Sequence, residues 1–354
     1  MPLLSTQGAG SAGAFGLGKG AASLYDFTSE TFEPSGATGK QGPTAAQVSA
    51  NYPTLWGSGF LAVSSIGEMA WVAPKSGNYQ ITIAGSSGGK YLGVSGRGAV
   101  FTFDYELEKG TTYYMVIGQR TNHYSPATYF AGGGGGGSFL WTGGYATTGV
   151  AGRVLIAAAG GGGGEGATGG SYTPNSNGTP APSITHMDGN FGTEGRNGLS
   201  DPSYNGTPGL GGSSGFGGQS GGSGWHTDEN TGGGAGWLGP GVQNPAHTTR
   251  YRNEIRGSYG GNFLGGTASH NSDFNGGFGG GGATSHSTSA GAGNQAGGGG
   301  GGGYSGGGGA GWRAQAGNGN VAGQGGGGGS YLISGSMSNT SYNSGQGYIT
   351  IVST

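Results

Sequence analysis

Few residues in this chain could carry out chemistry. Cysteine is absent, which excludes disulfides, thiolate metal sites and cysteine nucleophiles. The histidines show no metal-ligand spacing: they are His123, His186, His226, His247, His270 and His286. Among them, His226 stands out because Asp228 and Glu229 follow it closely. Oxygen-rich loops can bind calcium, but a short polar run between glycine tracts is more often an ordinary solvated loop.

Acidic side chains and phosphate-binding patterns do not indicate an enzyme either. Glycoside hydrolysis needs two carboxylates held rigidly at a set separation, whereas Asp188, Glu194 and Asp201 lie in segments whose composition favours flexibility. Patterns resembling dinucleotide and phosphate loops, over Gly8–Gly13 and Gly13–Lys19, neither follow a strand nor open a helix. We therefore predict no catalytic, metal-binding or cofactor-binding residues, and no enzymatic activity.

The elements that must position these residues are made largely of glycine. The chain has 96 glycines in 354 residues, whereas glycine is roughly 7% of an ordinary protein. Disordered chains are usually charged and poor in aromatics, but this one has 18 Tyr, 13 Phe and 6 Trp. We therefore expect ordered structure. The net charge of −2 and the scattered basic residues argue against nucleic-acid binding, and no apolar stretch is long enough for membrane insertion.

Short runs of alternating polarity predict antiparallel strands between residues 60 and 158 and again at the end of the chain. They are Phe60–Val63, Met69–Val72, Tyr79–Ile83, Ala99–Tyr105, Thr112–Ile117, Phe139–Trp141, Val154–Ala158, Ser330–Ile333 and Gly347–Val352. We predict a mainly β fold, with an antiparallel β-sandwich over residues 56–158 and 330–354. Residues 1–55 are predicted to form an extended N-terminal arm, with one short helix at Pro43–Ala50.

The long insertion at residues 159–329 contains a three-residue glycine period. Seven glycines from Gly206 to Gly224 are spaced by three without a break. This period matches an extended helix with three residues per turn and no internal hydrogen bonds, so its backbone needs partners on neighbouring segments. Because only glycine permits such close backbone approach, we predict an inserted polyglycine II helix lattice that carries exposed loops.

Aromatic residues within the insertion are candidates for binding. Some are expected to cover the faces of a thin lattice, while others at loop tips could bind a glycan or a surface protein. The aromatics considered are Tyr204, Phe216, Trp225, Trp237, Tyr251, Tyr259, Phe274, Phe278 and Trp312. The predicted receptor-binding residues are Tyr204, Trp225, His226, Trp237 and Tyr251.

The pattern of glycine runs flanked by strands resembles known families. The run Gly132–Gly137 before Phe139–Trp141, and Val154–Ala159 before Gly160–Gly164, are similar to the glycine-rich domain of anaplastic-lymphoma-kinase-type receptors. The glycine-alanine N-terminus resembles glycine-rich virion proteins of tailed bacteriophages. The insertion resembles the polyglycine-sandwich adhesins of phage tail-fibre tips, and that resemblance implies a helix lattice whose variable loops bind a host receptor.

These resemblances lead to a functional expectation with open alternatives. We expect a tail-fibre or tail-tip adhesin of a bacteriophage virion, which binds a host surface glycan or protein and docks to other virion proteins through the N-terminal arm. The first alternative is a purely structural virion component, such as a capsid decoration or fibre-shaft protein. A depolymerase and a secreted receptor-like module are further alternatives. The N-terminus lacks the pattern of a signal peptide, so release by host lysis is expected. The oligomeric state stays open.

Overall fold

The computed structural model describes residues 23–89, 95–121, 132–145, 152–165, 186–199, 207–222, 231–242, 263–268, 275–284, 297–311 and 323–354. Within these residues the fold is mainly β, as predicted, with two antiparallel sheets and two short helices. The strands are β1 (Ser29–Phe32), β2 (Leu61–Val63), β3 (Met69–Val72), β4 (Gly77–Ala84), β5 (Gly98–Leu107), β6 (Thr112–Val116), β7 (Ser138–Thr142), β8 (Val154–Ala159), β9 (Tyr331–Leu332), β10 (Ser338–Asn343) and β11 (Tyr348–Ser353).

The two sheets pack face to face as a β-sandwich. One sheet has the strand order β1-β11-β4-β5-β10, and the other has the order β2-β3-β6-β7-β8-β9. Alternate residues of β4, such as Ile81 and Ile83, point to the interior and are fully buried. They share one hydrophobic core with Trp71, Met115 and Leu140 of the opposite sheet. The period-2 pattern of the sequence thus places one face of each sheet in a common interior.

All the predicted strands are present, with boundaries that agree to within two residues. The predicted helix is confirmed as α1 (Ala45–Asn51), and a second short helix, α2 (Pro53–Gly57), follows it. Thr44 caps α1: the Gln47 amide N–H donates to Thr44 Oγ1, and the Thr44 amide N–H donates to Gln47 Oε1. The polar strand β10 was not predicted, because its side chains are mostly exposed and show no apolar alternation.

The prediction of an extended N-terminal arm is wrong for residues 23–55. Strand β1 forms the edge of a sheet by pairing with β11, and Phe32 is fully buried in the core. Tyr25 donates its phenolic hydroxyl to the Val72 carbonyl at 2.7 Å and stacks on Phe60, with ring centroids 4.3 Å apart. Burial of these aromatic rings draws the segment onto the sandwich. Residues 1–22 of the predicted arm lie outside the described residues.

Glycine-rich segments next to the sandwich hydrogen-bond to one another through their backbones. We call them the glycine bundle, and they comprise residues 85–89, 132–137, 160–165, 186–199, 207–222, 231–242, 263–268, 275–284, 297–311 and 323–329. Strands β4 and β8 continue directly into the bundle, and β7 directly follows bundle segment 132–137. Two of its segments, 85–89 and 132–137, lie in the range predicted for the sandwich, so the glycine bundle is not confined to residues 159–329.

Hydrogen bonds in the glycine bundle repeat every three residues. The amides of Gly161 and Gly164 donate to the carbonyls of Gly302 and Gly299 at 2.7 and 2.8 Å. The same spacing recurs on the other sides of segment 160–165. The segments and residues that bond to it are 86–89, 96–99, 132–135, Met187, 299–302 and 325–328. Residues three apart therefore face the same neighbour, as the glycine spacing in the sequence suggests.

Close approach between these backbones leaves no room for side chains. A Cβ atom added to Gly164 would lie 1.8 Å from the Gly132 carbonyl oxygen, and one added to Gly161 would lie 2.4 Å from that of Gly135. Both distances are far below a van der Waals contact. Glycine at these positions is therefore required by packing against neighbouring segments.

Five of the seven glycines from 206 to 224 lie in the described residues 207–222, and these five do not lie on one straight segment. Residues Thr207 and Gly222 exchange backbone hydrogen bonds as an antiparallel bridge, and the chain reverses between them. Ser214 and Gly215 have φ angles of 51° and 86°, the left-handed conformation that a tight turn needs. The unbroken three-residue spacing therefore continues through a hairpin turn, a feature that spacing alone does not reveal.

Candidate binding surface

The predicted receptor-binding residues fall into two groups. Tyr204, Trp225, His226 and Tyr251 lie outside the described residues, so their predicted role stays a prediction. Trp237 is described, and it is buried, with 6% of its surface exposed. Its predicted position at an exposed loop tip is therefore wrong.

Trp237 belongs to an aromatic cluster on the outer face of the six-stranded sheet. Phe139 and Trp141 of β7 point away from the sandwich core, while Leu140 between them points into it. The Trp237 ring centroid lies 5.9 Å from that of Phe139, 5.6 Å from that of Trp141 and 6.0 Å from that of Phe263. The glycine bundle thus covers this face of the sheet. Trp237 covers the rings of Phe139 and Trp141, which the sheet alone would leave exposed.

Arg153 lies at the edge of this aromatic cluster, immediately before β8. Its Cζ atom is 4.6 Å from the centre of the Trp237 ring, a cation–π distance. Burial lowers the pKa of the Arg153 guanidinium, and the nearby carboxylate of Glu68 partly opposes that change. This arginine carries a charge in a mostly apolar environment.

The described part of the glycine bundle also has an exposed apolar surface. Leu210, Phe216, Leu238 and Val242 expose 53%, 54%, 41% and 38% of their surface. They lie on two neighbouring turn regions, residues 210–219 and 236–242, which we call the two-turn tip. The amide of Gln219 donates to the carbonyl of Leu210, and the Val242 carbonyl accepts from the amide of Ser220. Apolar side chains are therefore gathered where two segments meet.

The two turns interlock through their glycines. The amide of Leu238 donates to the Gly215 carbonyl at 2.7 Å, and the Phe216 amide donates to the Ser213 carbonyl at 2.9 Å. A Cβ on Gly239 would lie 2.8 Å from Phe216 Cδ1, and one on Gly215 would lie 3.0 Å from Leu238 Cγ. Each glycine thus makes room for the exposed side chain of the other turn.

The chemistry of the two-turn tip favours contact with another surface. Residues 207–222 and 231–242 contain no charged side chain, so this part of the bundle offers apolar area and backbone groups. Exposed apolar area held on a rigid support is typical of interaction sites. Phe216 was noted in the sequence as an insertion aromatic, but Leu210, Leu238 and Val242 were missed. The turn-forming residues around Ser214 and Pro240 are the signal that could have indicated them.

Of the acidic residues considered for hydrolysis, Asp188 and Glu194 are described, and Asp188 forms an ion pair. Asp188 is fully buried, and Arg97 binds its carboxylate through three donors: the amide N at 2.8 Å, Nε at 3.1 Å and Nη2 at 2.7 Å. Hydrogen bonding to Asp188 raises the pKa of Arg97. The pair connects bundle segment 186–199 to the start of β5, a structural role. Asp201 lies outside the described residues.

Within the described part of the chain, no three His, Cys, Asp or Glu side chains gather in a way that could hold a metal ion. The helices found there are also too short or too polar to span a bilayer. In comparisons with known proteins, no family model and no curated protein matches this sequence.

Proposed function

We propose that this chain is a bacteriophage virion protein, a tail-fibre or tail-tip adhesin that binds a host surface receptor through loops on a polyglycine scaffold. The observation that carries the proposal is the two-turn tip, where Phe216 and Leu238 are exposed although the backbone beneath them is tightly hydrogen-bonded. Rigid support lowers the entropic cost of binding, because little conformational freedom is left to lose.

The scaffold in this proposal is a polyglycine II helix lattice. The three-residue repeat of hydrogen bonds and the several neighbours around segment 160–165 support this assignment. Close backbone packing, with carbonyl oxygens where Cβ atoms would otherwise lie, supports it as well. Loops that contain Tyr204, Trp225, His226 and Tyr251 would extend the binding surface beyond the two-turn tip.

The partner surface expected for the tip is apolar and uncharged, because residues 207–222 and 231–242 carry no charge. Such a surface gains affinity from apolar area removed from water. Docking to other virion proteins belongs to the same proposal, and so does a location in the virion.

Cell binding by the purified full-length chain tests the proposal. A fluorescent label would report binding to cells of the host strain, and the double variant Phe216→Ser with Leu238→Ser should lose most of it. Ile333→Ser is the matched control, since Ile333 is also exposed, at 37%, but lies beyond β9 rather than at the tip. Particles that carry the double variant should adsorb poorly.

Two results would contradict the adhesin proposal. The first is normal adsorption by particles that carry the double variant and in which the loops around Tyr204, Trp225 and Tyr251 are also exchanged. The purely structural virion component would then be the better assignment. Immunogold labelling that places the chain over the capsid surface instead of the tail would lead to the same conclusion.

A further inference from the structure

Arg153 is the most unusual polar residue in the described part of the chain. It is 9% exposed and packs at the border of the aromatic cluster formed by Trp141, Trp237 and Phe263. The β7–β8 hairpin holds its backbone closely, because a Cβ on Gly143 would lie 3.0 Å from the Arg153 Cα. The position of the side chain is thus set by strand pairing on one side and by Trp237 on the other.

The hydrogen-bond donors of this guanidinium are unused. Its Nε, Nη1 and Nη2 atoms are buried and have no hydrogen-bond partner. The cation–π contact with Trp237, at 4.6 Å, stabilises the positive charge. The ring face has no lone pair, so it does not replace a hydrogen-bond acceptor for the N–H groups. Buried donors without partners are costly, and native proteins rarely leave them so. The N–H groups of Arg153 can therefore donate to an acceptor that a ligand supplies.

The local charge favours an anionic acceptor. Glu68 is fully buried and its carboxylate attracts the Arg153 charge, which raises the pKa of the guanidinium, but burial lowers that pKa by more. Glu68 therefore offsets only part of the effect of burial on the pKa of Arg153. An additional negative oxygen close to the N–H groups would be stabilised at this point.

We propose that Arg153 anchors a second binding site on this protein, for a ligand that carries a carboxylate, such as an acidic sugar. A planar carboxylate matches the planar fork of the guanidinium and can accept two parallel hydrogen bonds from it. Tyr114 is half-buried, packs against the same aromatic cluster and offers ring surface to the body of the ligand. The site involves the buried Trp237 rather than the exposed side chains of the two-turn tip, and it does not depend on the proposed adhesin function.

Titration calorimetry with the full-length chain tests this site. Glucuronate is the probe and glucose is its uncharged match. We expect the wild-type chain to bind glucuronate with a dissociation constant on the order of 1 mM, as is usual for so small a ligand, and not to bind glucose. Arg153→Met should weaken glucuronate binding by about tenfold or more, because the fork is lost. Arg153→Lys should weaken it as well, since an ammonium cannot bind both oxygens in the same way.

Arg120→Met is the matched control, since Arg120 is another partly buried arginine, and its backbone bonds to Gln346 and Gly39. It should bind glucuronate as the wild type does. Equal binding by Arg153→Met and the wild type would overturn the proposal, as would the absence of binding by the wild type. Tighter binding of inorganic phosphate than of glucuronate would overturn the assignment to a carboxylate.

Thermal unfolding provides a second measurement in case Arg153→Met does not fold. Glucuronate should raise the Tm of the wild type in a saturable manner, and it should not raise the Tm of Arg153→Lys by the same amount. An equal rise in both proteins would show that the effect does not pass through the guanidinium fork, and would overturn the proposal.

Discussion

The sandwich and the glycine bundle are packed in opposite ways. In the sandwich, large side chains such as Trp71 and Phe101 fill the space between two sheets and are fully buried. In the glycine bundle, backbones pack directly against one another, and a carbonyl oxygen often lies about where a Cβ would be. The sandwich is stabilised mainly by apolar burial, whereas the bundle depends on hydrogen bonds and on the absence of side chains.

This difference explains why the bundle is joined to the sandwich at several points. Glycine loses more conformational freedom on folding than any other residue, by roughly 0.5–1 kcal/mol relative to alanine in regular structure. Each hydrogen bond contributes a net gain of about 1 kcal/mol, which offsets little more than this extra entropic cost of one glycine. Strands β4, β7 and β8 are each joined directly to a bundle segment. The rings of Trp237 and Phe263 also bury apolar area on the sheet. The sandwich therefore anchors a bundle that has little hydrophobic stabilisation of its own.

Adding one methyl group to the bundle should give the largest effect on stability. In Gly164→Ala the new Cβ would lie 1.8 Å from the Gly132 carbonyl oxygen, so two segments must separate. We expect a loss of about 3 kcal/mol or more in the free energy of unfolding, measured by denaturant titration. Gly57→Ala is the control, because nothing lies within 4 Å of its Cβ position and it ends a helix. A stable Gly164→Ala protein would contradict the backbone-packing account.

Removal of a buried ring tests whether side chains hold the bundle to the sheet. Trp237→Ala should cost about 3 kcal/mol, since a 6% exposed indole leaves a cavity against Phe139 and Trp141. Phe216→Ala in the same bundle should change stability by less than about 1 kcal/mol, because that ring is 54% exposed. Thermal melting compares the two variants, and equal losses would mean that Trp237 does not anchor the bundle.

The ion pair between Arg97 and Asp188 should show an asymmetric effect. Arg97→Met leaves the buried Asp188 carboxylate without its charged partner and should cost about 2 kcal/mol. In Asp188→Asn the group that loses its charged partner is the Arg97 side chain, which is 43% exposed. Water can solvate that charge, so the loss in the free energy of unfolding should be nearer to about 1 kcal/mol. Denaturant titration at neutral pH measures both. A larger loss in Asp188→Asn would mean that the charge on Arg97 is not solvated.

Removing one methyl from the sandwich should give the smallest effect. Ile81→Val should cost about 1 kcal/mol, the usual loss for one buried methyl group. The interior side chains can adjust their rotamers slightly, whereas a bundle segment cannot move without breaking hydrogen bonds. The same titration compares the loss in the free energy of unfolding when one carbon is removed from the sandwich with the loss when one carbon is added to the bundle in Gly164→Ala. Similar losses would remove the distinction between the two kinds of packing.

Much of the sandwich could be predicted from the sequence, because period-2 patterns such as that of Tyr79–Ile83 depend on local alternation. Strand β10 escaped prediction, since its residues are exposed and only pairing with β5 makes them a strand. Strand β1 was assigned to an arm for a similar reason: its partner β11 lies at the other end of the chain. In the candidate site, Phe216 was noted as an aromatic of the insertion but was not among the predicted receptor-binding residues, and its exposure was not predictable.

The sequence by itself determined the two kinds of packing, because apolar alternation requires a shared core and the three-residue glycine spacing requires close neighbouring backbones. Tertiary structure alone decided which apolar residues are covered. Phe216 stands between two glycines and Trp237 stands between Gly236 and Leu238, so neither has periodic neighbours that indicate a face. Trp237 is buried because its ring packs on the outer face of the sheet, whereas Phe216 is exposed because its ring lies on the solvent side of the two-turn tip. Burial of an isolated side chain depends on segments that are distant in sequence, so it cannot be predicted from the local sequence pattern.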